Sequence, residues 1–134
     1  MLKKLPLILS SMIIAIILFQ SALIAPAINQ LLNVKHSAVL LRFIWPKFFI
    51  LIALLAAVSI LITLILKQQA KRRKYYMSAT LVLMLLSYFI TPIINQAKDA
   101  GNEQLWSMLH IVTVSAAAVV LVLNFLSLKE ETTN

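Results

Sequence analysis

The sequence predicts an all-α fold: a polytopic membrane protein with a four-transmembrane-helix bundle, made of two parallel-repeat helical hairpins. Three observations lead to this prediction. Hydrophobic residues make up 62% and charged residues 12% of the 134 positions, whereas a soluble domain is about half apolar and a quarter charged. The apolar residues gather into four runs, and a ten-residue motif occurs twice. We therefore treat 1–134 as a single membrane domain, with repeat one at 1–70 and repeat two at 71–134.

The four apolar runs predict helices at about 5–24, 48–66, 77–94 and 105–128. Each run is close to the ~20 residues that cross ~30 Å of hydrocarbon at the rise of an α-helix. None of the runs contains Asp, Glu, Lys or Arg. The runs show no alternation of polar and apolar residues, which excludes a transmembrane β-barrel.

The repeated motif ends the first helix of each predicted hairpin. Ser21–Gln30 and Ser87–Gln96 share six of ten residues at an offset of 66 positions. A proline in each copy removes a backbone donor and predicts a kink. The repeat symmetry would then bring the prolines and four amides together at the outer mouth of the bundle: Pro26, Asn29, Gln30, Pro92, Asn95 and Gln96. The motif either ends the helix and bonds to the following loop, or lines a pocket for a ligand or partner.

Each hairpin has one tryptophan at the predicted start of its second helix. Trp45 and Trp106 suit the membrane interface there, and Pro46 suits the first turn of a helix. His36 is predicted to lie in the outer loop of the first hairpin. The matched placement of the tryptophans favours a duplication.

The basic residues predict the orientation. Eight of the twelve Lys and Arg residues lie before the first run, between the second and third runs, or after the fourth. The positive-inside bias then places both termini in the cytoplasm, in a bacterial cytoplasmic (inner) membrane. The segment 67–74 is expected to contact anionic lipid headgroups. We expect no nucleic-acid binding, because no recognition fold accompanies the charge.

The fourth helix carries a polar stripe. His110, Thr113 and Asn124 share or adjoin one helical face, and such a stripe is expected to face the bundle interior. His110 is either a neutral histidine bonded across the bundle or a group that binds a metal, a haem or a proton. Together, these three residues are the candidate ligand or polar network of the sequence.

Most site chemistries are excluded by residue types. The chain has no cysteine, which excludes thiolate metal sites and thiol catalysis. Met108 and His110 are two positions apart on a helix, so they point in opposite directions and cannot chelate one copper ion. No catalytic motif of a hydrolase, metalloprotease or phosphate-binding enzyme is present. We expect no enzyme activity, no metal and no cofactor, with haem or copper left as an alternative.

Several motifs resemble an uncharacterised four-helix membrane family typified by transmembrane protein 205. The residues that carry this resemblance are Phe19–Pro26, Leu41–Phe49, Tyr88–Ile93 and Leu105–His110. The family is similar, more distantly, to copper-resistance D and HemJ-type membrane proteins. The resemblance implies a compact four-helix domain and marks His110 as a candidate functional position. The haem-binding relatives use a histidine in the first helix, and the run 5–24 has none.

Two functions follow from these features. The first is a non-enzymatic accessory or structural subunit of a larger membrane complex, surrounded by lipids and in contact with other membrane-protein subunits or with further copies of the chain. The second is a small-ligand, copper or haem handling protein that uses an outer pocket with His110. A transporter without intramembrane charge is a weaker variant.

Overall fold

The structure, a computed structural model, describes residues 2–67 and 71–129. The described chain forms four long helices, which we name in chain order, and a short 3-10 turn at Leu2–Lys4. All four are long and apolar enough to cross a membrane, which confirms the predicted all-α membrane architecture. Residues 68–70 of the basic segment lie outside the described residues. The helices are α1 (Leu5–Leu31), α2 (Val34–Ile65), α3 (Lys71–Asp99) and α4 (Glu103–Lys129).

The helices pack in a ring in chain order. Each helix contacts the next one, and α1 also contacts α4. The α1–α2 and α3–α4 connections therefore lie at one end of the bundle, which we call the hairpin end. The opposite end, which we call the terminal end, contains the beginnings of α1 and α3 and the ends of α2 and α4.

The start of α2 corrects three sequence predictions. The helix begins at Val34, where the Asn33 side chain accepts a hydrogen bond from the His36 N–H at 3.0 Å. Asn is a favoured residue at this capping position. His36 is therefore in the first turn of a helix rather than in a loop, and Trp45 does not open α2. Pro46 lies inside the helix rather than in its first turn.

The α3–α4 connection is a tight turn. Gly101, the single glycine of the chain, has φ +70°, and the Asn102 N–H donates to Ala97 O at 2.9 Å. Helices commonly end in this way, with a residue in the left-handed region followed by a hydrogen bond back to the last turn. Glycine adopts that region without a steric penalty. The Asn102 side chain accepts a hydrogen bond from the Leu105 N–H at 3.1 Å. Trp106 accordingly lies at the start of α4, as predicted.

The two copies of the motif differ in backbone structure. In α1 the segment Gln20–Ile24 is a π-helix, and the Ala25 N–H donates to Gln20 O, five residues back. A π segment of this kind holds one extra residue within a helix. In α3 the helix stays α-helical, with Pro92 inside it, and the Thr91 hydroxyl donates to Ser87 O at 2.8 Å.

The hydrophobic core lies midway between the two ends. Each helix contributes at least one side chain with no exposed surface, namely Ile13, Ile52, Met84 and Val120. Ala56, also fully buried, lets α2 approach its neighbours closely at this level. The core separates the polar interior of the terminal end from a cavity at the hairpin end.

Candidate functional site

A cavity of about 520 Å³ lies between the four helices in the hairpin half of the bundle. It extends from Leu32 and Lys98 at the hairpin end to Ile17 and Leu121 near the core. Most of the side chains that line it are apolar. Small-molecule sites have volumes of ~300–1,000 Å³ and combine apolar walls with a few polar groups. By volume and lining, the cavity belongs to this class.

Four polar side chains line the cavity without a hydrogen-bond partner among the described residues: Ser21, Asn29, Asn95 and His110. The imidazole of His110 stacks on the Trp106 ring, with the centroids 5.5 Å apart and the planes 9° apart. This stacking fixes the ring plane and leaves both ring nitrogens without a protein partner. The amides and the imidazole are therefore available to donate to, or accept from, a molecule in the cavity.

The structure brings two of the four motif amides to the cavity rather than all four. Asn29 and Asn95 occupy the same position in the two copies, and both line the cavity. Gln30 and Gln96 are exposed and lie outside it. Successive residues of an α-helix point about 100° apart, so an Asn–Gln pair cannot face one cavity with both side chains. Pro26 and Pro92 are also absent from the lining.

The polar stripe of α4 is divided between two environments. His110 and the buried Thr113 line the cavity, and the Thr113 hydroxyl donates to His110 O at 2.9 Å. Asn124 has no exposed surface and lies in the terminal half. Its Nδ2 donates to Thr80 Oγ1 at 3.2 Å and to Val120 O at 2.8 Å. Asn124 therefore joins α4 to α3 and is not part of the His110 site.

Two ion pairs form the rim of the cavity at the hairpin end. Arg42 on α2 donates to both carboxylate oxygens of Asp99, at 3.1 and 2.6 Å. Lys98 on α3 contacts Glu103 at 2.8 Å, and its Nζ lies 4.1 Å from the centroid of the Trp106 ring. Arg42 and Lys98 line the cavity, whereas their acidic partners do not. The positive member of each pair is thus the one that faces the cavity.

Sequence reasoning missed the two rim cations and the position of Trp45 and Phe49 in the cavity wall. A signal for Phe49 was present. An offset of 61 positions aligns Trp45 with Trp106 and Phe49 with His110. Extending the tryptophan comparison along the helices would have indicated that Phe49 faces the same space. No sequence signal paired Arg42 with Asp99, because the pairing depends on how α2 packs on α3.

The side chains around the cavity supply one imidazole and no second soft ligand for copper or second axial ligand for a six-coordinate haem. His110 is the one imidazole in the lining, and the lining contains no methionine. Met108 is 57% exposed, on another face of α4. Copper(I) favours several soft ligands, and a six-coordinate haem needs two axial ligands. Within the described residues, no three His, Asp or Glu side chains come close enough to hold a metal ion.

No protein-family model, curated protein or solved structure matches the chain. The resemblance to the transmembrane protein 205 family stays a prediction. Function is therefore argued from the cavity and the residues that line it.

Proposed function

We propose that this membrane protein binds a small, mostly apolar molecule in the hairpin-end cavity, with His110 and the paired asparagines as its polar contacts. The observation that supports this most strongly is the combination of a cavity of about 520 Å³ with four polar side chains that have no hydrogen-bond partner among the described residues. The proposal corresponds to the second function predicted from the sequence, without the metal or haem.

An unfilled cavity would cost free energy in two ways. Apolar walls that face empty space lose the dispersion contacts that close packing provides. Polar groups at membrane depth cost free energy unless they are hydrogen-bonded. A bound molecule with an apolar body and a polar group removes both penalties at once. The cavity is therefore better explained by an occupant than by packing of the helices alone.

The accessory-subunit role stays a prediction. Large apolar side chains are exposed along all four helices, for example Leu54, Phe89 and Phe125. Any membrane-spanning helix presents such side chains to lipid, so they do not distinguish a partner subunit from the bilayer. The absence of enzyme activity likewise stays a prediction. The proposed binding function requires no chemical step.

We also infer that the two hairpins arose by duplication. Four of the eight buried residues of α2 match buried residues of α4 at an offset of 61 positions. Four buried residues of α1 match buried residues of α3 at an offset of 67, up to Gln20 at the start of the π segment, whereas the repeated motif, which begins at Ser21, has an offset of 66. One extra residue in α1, held by the π segment, accounts for this change of offset. The corresponding buried pairs are Ser10/Met77, Ile13/Thr80, Ile17/Met84 and Gln20/Ser87, then Ile52/Thr113, Ala56/Ala117, Ser59/Val120 and Thr63/Asn124.

The orientation proposed for this bundle follows the basic residues. Lys and Arg are concentrated at the terminal end, whereas the hairpin end also carries Asp99 and Glu103. We accordingly place the terminal end in the cytoplasm and the cavity mouth on the opposite side. A single cysteine introduced at Lys71 should react with a membrane-impermeant maleimide only after the membrane is opened. Labelling in intact cells would indicate the opposite orientation.

Substitutions that fill the cavity test the binding function. Ala117 is buried and lines the cavity, so Ala117→Phe occupies part of its volume. Ser115 is exposed on the same helix and lies outside the lining, so Ser115→Phe is the matched control. A second filling variant, Ala118→Phe, covers the case in which Ala117→Phe fails to fold. Circular dichroism identifies the variants that keep the helical fold.

The measurement is native mass spectrometry of protein extracted with its surrounding lipid. We expect the wild-type protein and Ser115→Phe to carry a bound small molecule that is released on unfolding. The folded filling variants should lose it. An unliganded wild-type protein, or equal occupancy in the wild-type and filled proteins, would contradict the binding function.

A further inference from the structure

The cavity is long. Two of its lining residues on α4, Trp106 and Leu121, are 15 positions apart, which corresponds to about 22 Å along a helix. An extended hydrocarbon chain suits a cavity of this length.

Polarity changes along the length of the cavity. The deep end is walled by apolar side chains such as Ile17, Phe49 and Leu121. The mouth carries the cations Arg42 and Lys98, and Asp99 and Glu103 bind these cations from outside the lining. A guanidinium has five N–H donors and an ammonium has three, so each cation retains donors for a second acceptor. The mouth therefore suits an anionic group attached to an apolar chain.

The cavity is open sideways, between α1 and α4. Leu18, Ser21 and Ala22 on α1 line it and are exposed, and so are Val114 and Ala118 on α4. The packing of α1 on α4 is made by the Leu5–Phe19 part of α1, which ends where the π segment begins. The opening thus lies at the depth of the apolar part of the helices. A molecule dissolved in the bilayer would reach the cavity without crossing water.

We propose that the occupant is a single-chain anionic amphiphile, for which a long-chain fatty acid is the simplest member, and that it enters from the bilayer between α1 and α4. This inference rests on the proposed binding function and names its ligand class. The carboxylate lies between Arg42 and Lys98, where a guanidinium offers the planar pair of donors that a carboxylate accepts. The chain extends past Ala117 toward the core.

The two tryptophans of the chain provide a direct probe. Trp45 and Trp106 both line the cavity, and the sequence has no other tryptophan. Bromine quenches indole fluorescence on contact, so 9,10-dibromostearate should quench the protein saturably in nanodiscs of unbrominated lipid. The uncharged 9,10-dibromostearyl alcohol should bind about tenfold more weakly, because it lacks the charge-assisted hydrogen bonds. Quenching of Ala117→Phe by either molecule should be non-saturable.

Charge variants test the head group. Arg42→Gln and Lys98→Gln should each reduce the affinity for dibromostearate several-fold and change the affinity for the alcohol much less. Lys35→Gln is the control, since Lys35 is an exposed cation of α2 outside the lining. The two lining cations come from different helices, so a folding defect in one variant leaves the other informative.

The outcomes separate the two proposals. Equal affinity for the acid and the alcohol in every variant would overturn the anionic ligand class and retain the binding function. Quenching that is identical in wild-type and Ala117→Phe proteins would overturn both. A brominated anionic lysophospholipid, lysophosphatidylglycerol, that binds more tightly than the fatty acid would support the single-chain anionic class and identify a lysolipid as its member. A brominated two-chain lipid that competes equally would overturn the single-chain inference.

Discussion

At the terminal end of the bundle, two pairs of interior polar side chains bond to each other, whereas at the hairpin end two asparagines face an open cavity. The Ser10 hydroxyl donates to Ser127 Oγ at 3.3 Å, and Asn124 bonds to Thr80 at 3.2 Å. At the hairpin end, Asn29 and Asn95 have no such partners among the described residues. Both ends thus contain small polar residues on inward faces, and their packing differs.

We attribute the difference to the size of the side chains on the inward faces. At the terminal end, serine, threonine and alanine let neighbouring helices approach until hydrogen bonds form between them. At the hairpin end, the aromatic side chains of Trp45, Phe49 and Trp106 occupy the inward faces, and the π segment of α1 begins where its main packing on α4 ends. The same kind of residue is therefore a packing group at one end and a candidate ligand contact at the other.

Deletion of a single residue should show the largest difference in stability between the two hairpins. If the π segment of α1 holds one extra residue, deletion of Leu23 converts it to regular helix and keeps both ends of α1 in register. Deletion of Phe89 from the continuous α3 rotates one part of that helix by about 100° relative to the other. We expect the α1 deletion to retain the folded yield, and the α3 deletion to lose more than ~4 kcal/mol of stability.

Folded yield and thermal unfolding, followed by circular dichroism, measure both deletions. Comparable damage from the two would remove the support for an inserted residue. A Leu23 deletion that unfolds the protein while the Phe89 deletion is tolerated would reverse the assignment of the extra residue.

Truncating an isoleucine in each region tests the packing difference. Ile13 has no exposed surface, and its truncation to alanine should cost about 2–5 kcal/mol because it leaves a hole in a close-packed core. Ile94 is half-buried and lines the cavity, and Ile94→Ala should cost about 1 kcal/mol or less, since the surroundings are already open. Equilibrium unfolding in mild detergent measures both. Equal losses would mean that the hairpin end is as tightly packed as the core.

Replacing an asparagine in each region tests the polar contacts. Asn124→Ala removes the hydrogen bond to Thr80 and leaves a small void, and it should cost about 1–2 kcal/mol. Asn95→Ala removes no protein hydrogen bond and should change stability by less than ~0.5 kcal/mol. It should nevertheless weaken ligand retention in native mass spectrometry. A larger stability loss for Asn95→Ala than for Asn124→Ala would place a structural network at the hairpin end.

Much of the fold was predictable because hydrophobic length alone determines a membrane-spanning helix. The helix boundaries were not, since the segment Val34–Arg42 carries charged and polar residues, and its apolar stretch, Ala38–Leu41, is much shorter than a membrane span, yet α2 includes it. Its helical start depends on the Asn33 cap and on the packing of α2 against α3. Pro46 was expected at a helix start, and the cost of an interior proline is offset by the surrounding helix packing.

The candidate site was predictable in part. The repeated motif indicated Asn29 and Asn95, and helical spacing placed His110 and Thr113 inward. The separation of Asn124 from His110 could not be read from their shared face, because a helix face spans the whole bundle and passes through both environments. The rim cations could not be predicted either, since Arg42 and Asp99 are brought together only by the packing of two hairpins.

The rim ion pairs should give the smallest effects. The Arg42 and Asp99 side chains are 36% and 62% exposed, and exposed pairs contribute about 0–1 kcal/mol. A double-mutant cycle with Arg42→Gln and Asp99→Asn should give a coupling energy below ~1 kcal/mol that decreases further at high salt. A coupling of several kcal/mol would make the rim a structural clamp and argue against its donors being available to a ligand.

The accessibility of one position in each region tests the central claim most directly. The chain has no cysteine, so single thiols can be introduced at the buried threonines Thr113 in the cavity and Thr80 at the terminal end without background reaction. N-ethylmaleimide in bilayers should label Thr113→Cys at least about tenfold faster than Thr80→Cys. This ratio corresponds to a difference of ~1.4 kcal/mol in the activation free energy of labelling. Saturating dibromostearate should slow the first reaction and leave the second unchanged. Equal labelling rates at the two positions, unaffected by the fatty acid, would contradict an open binding cavity at the hairpin end.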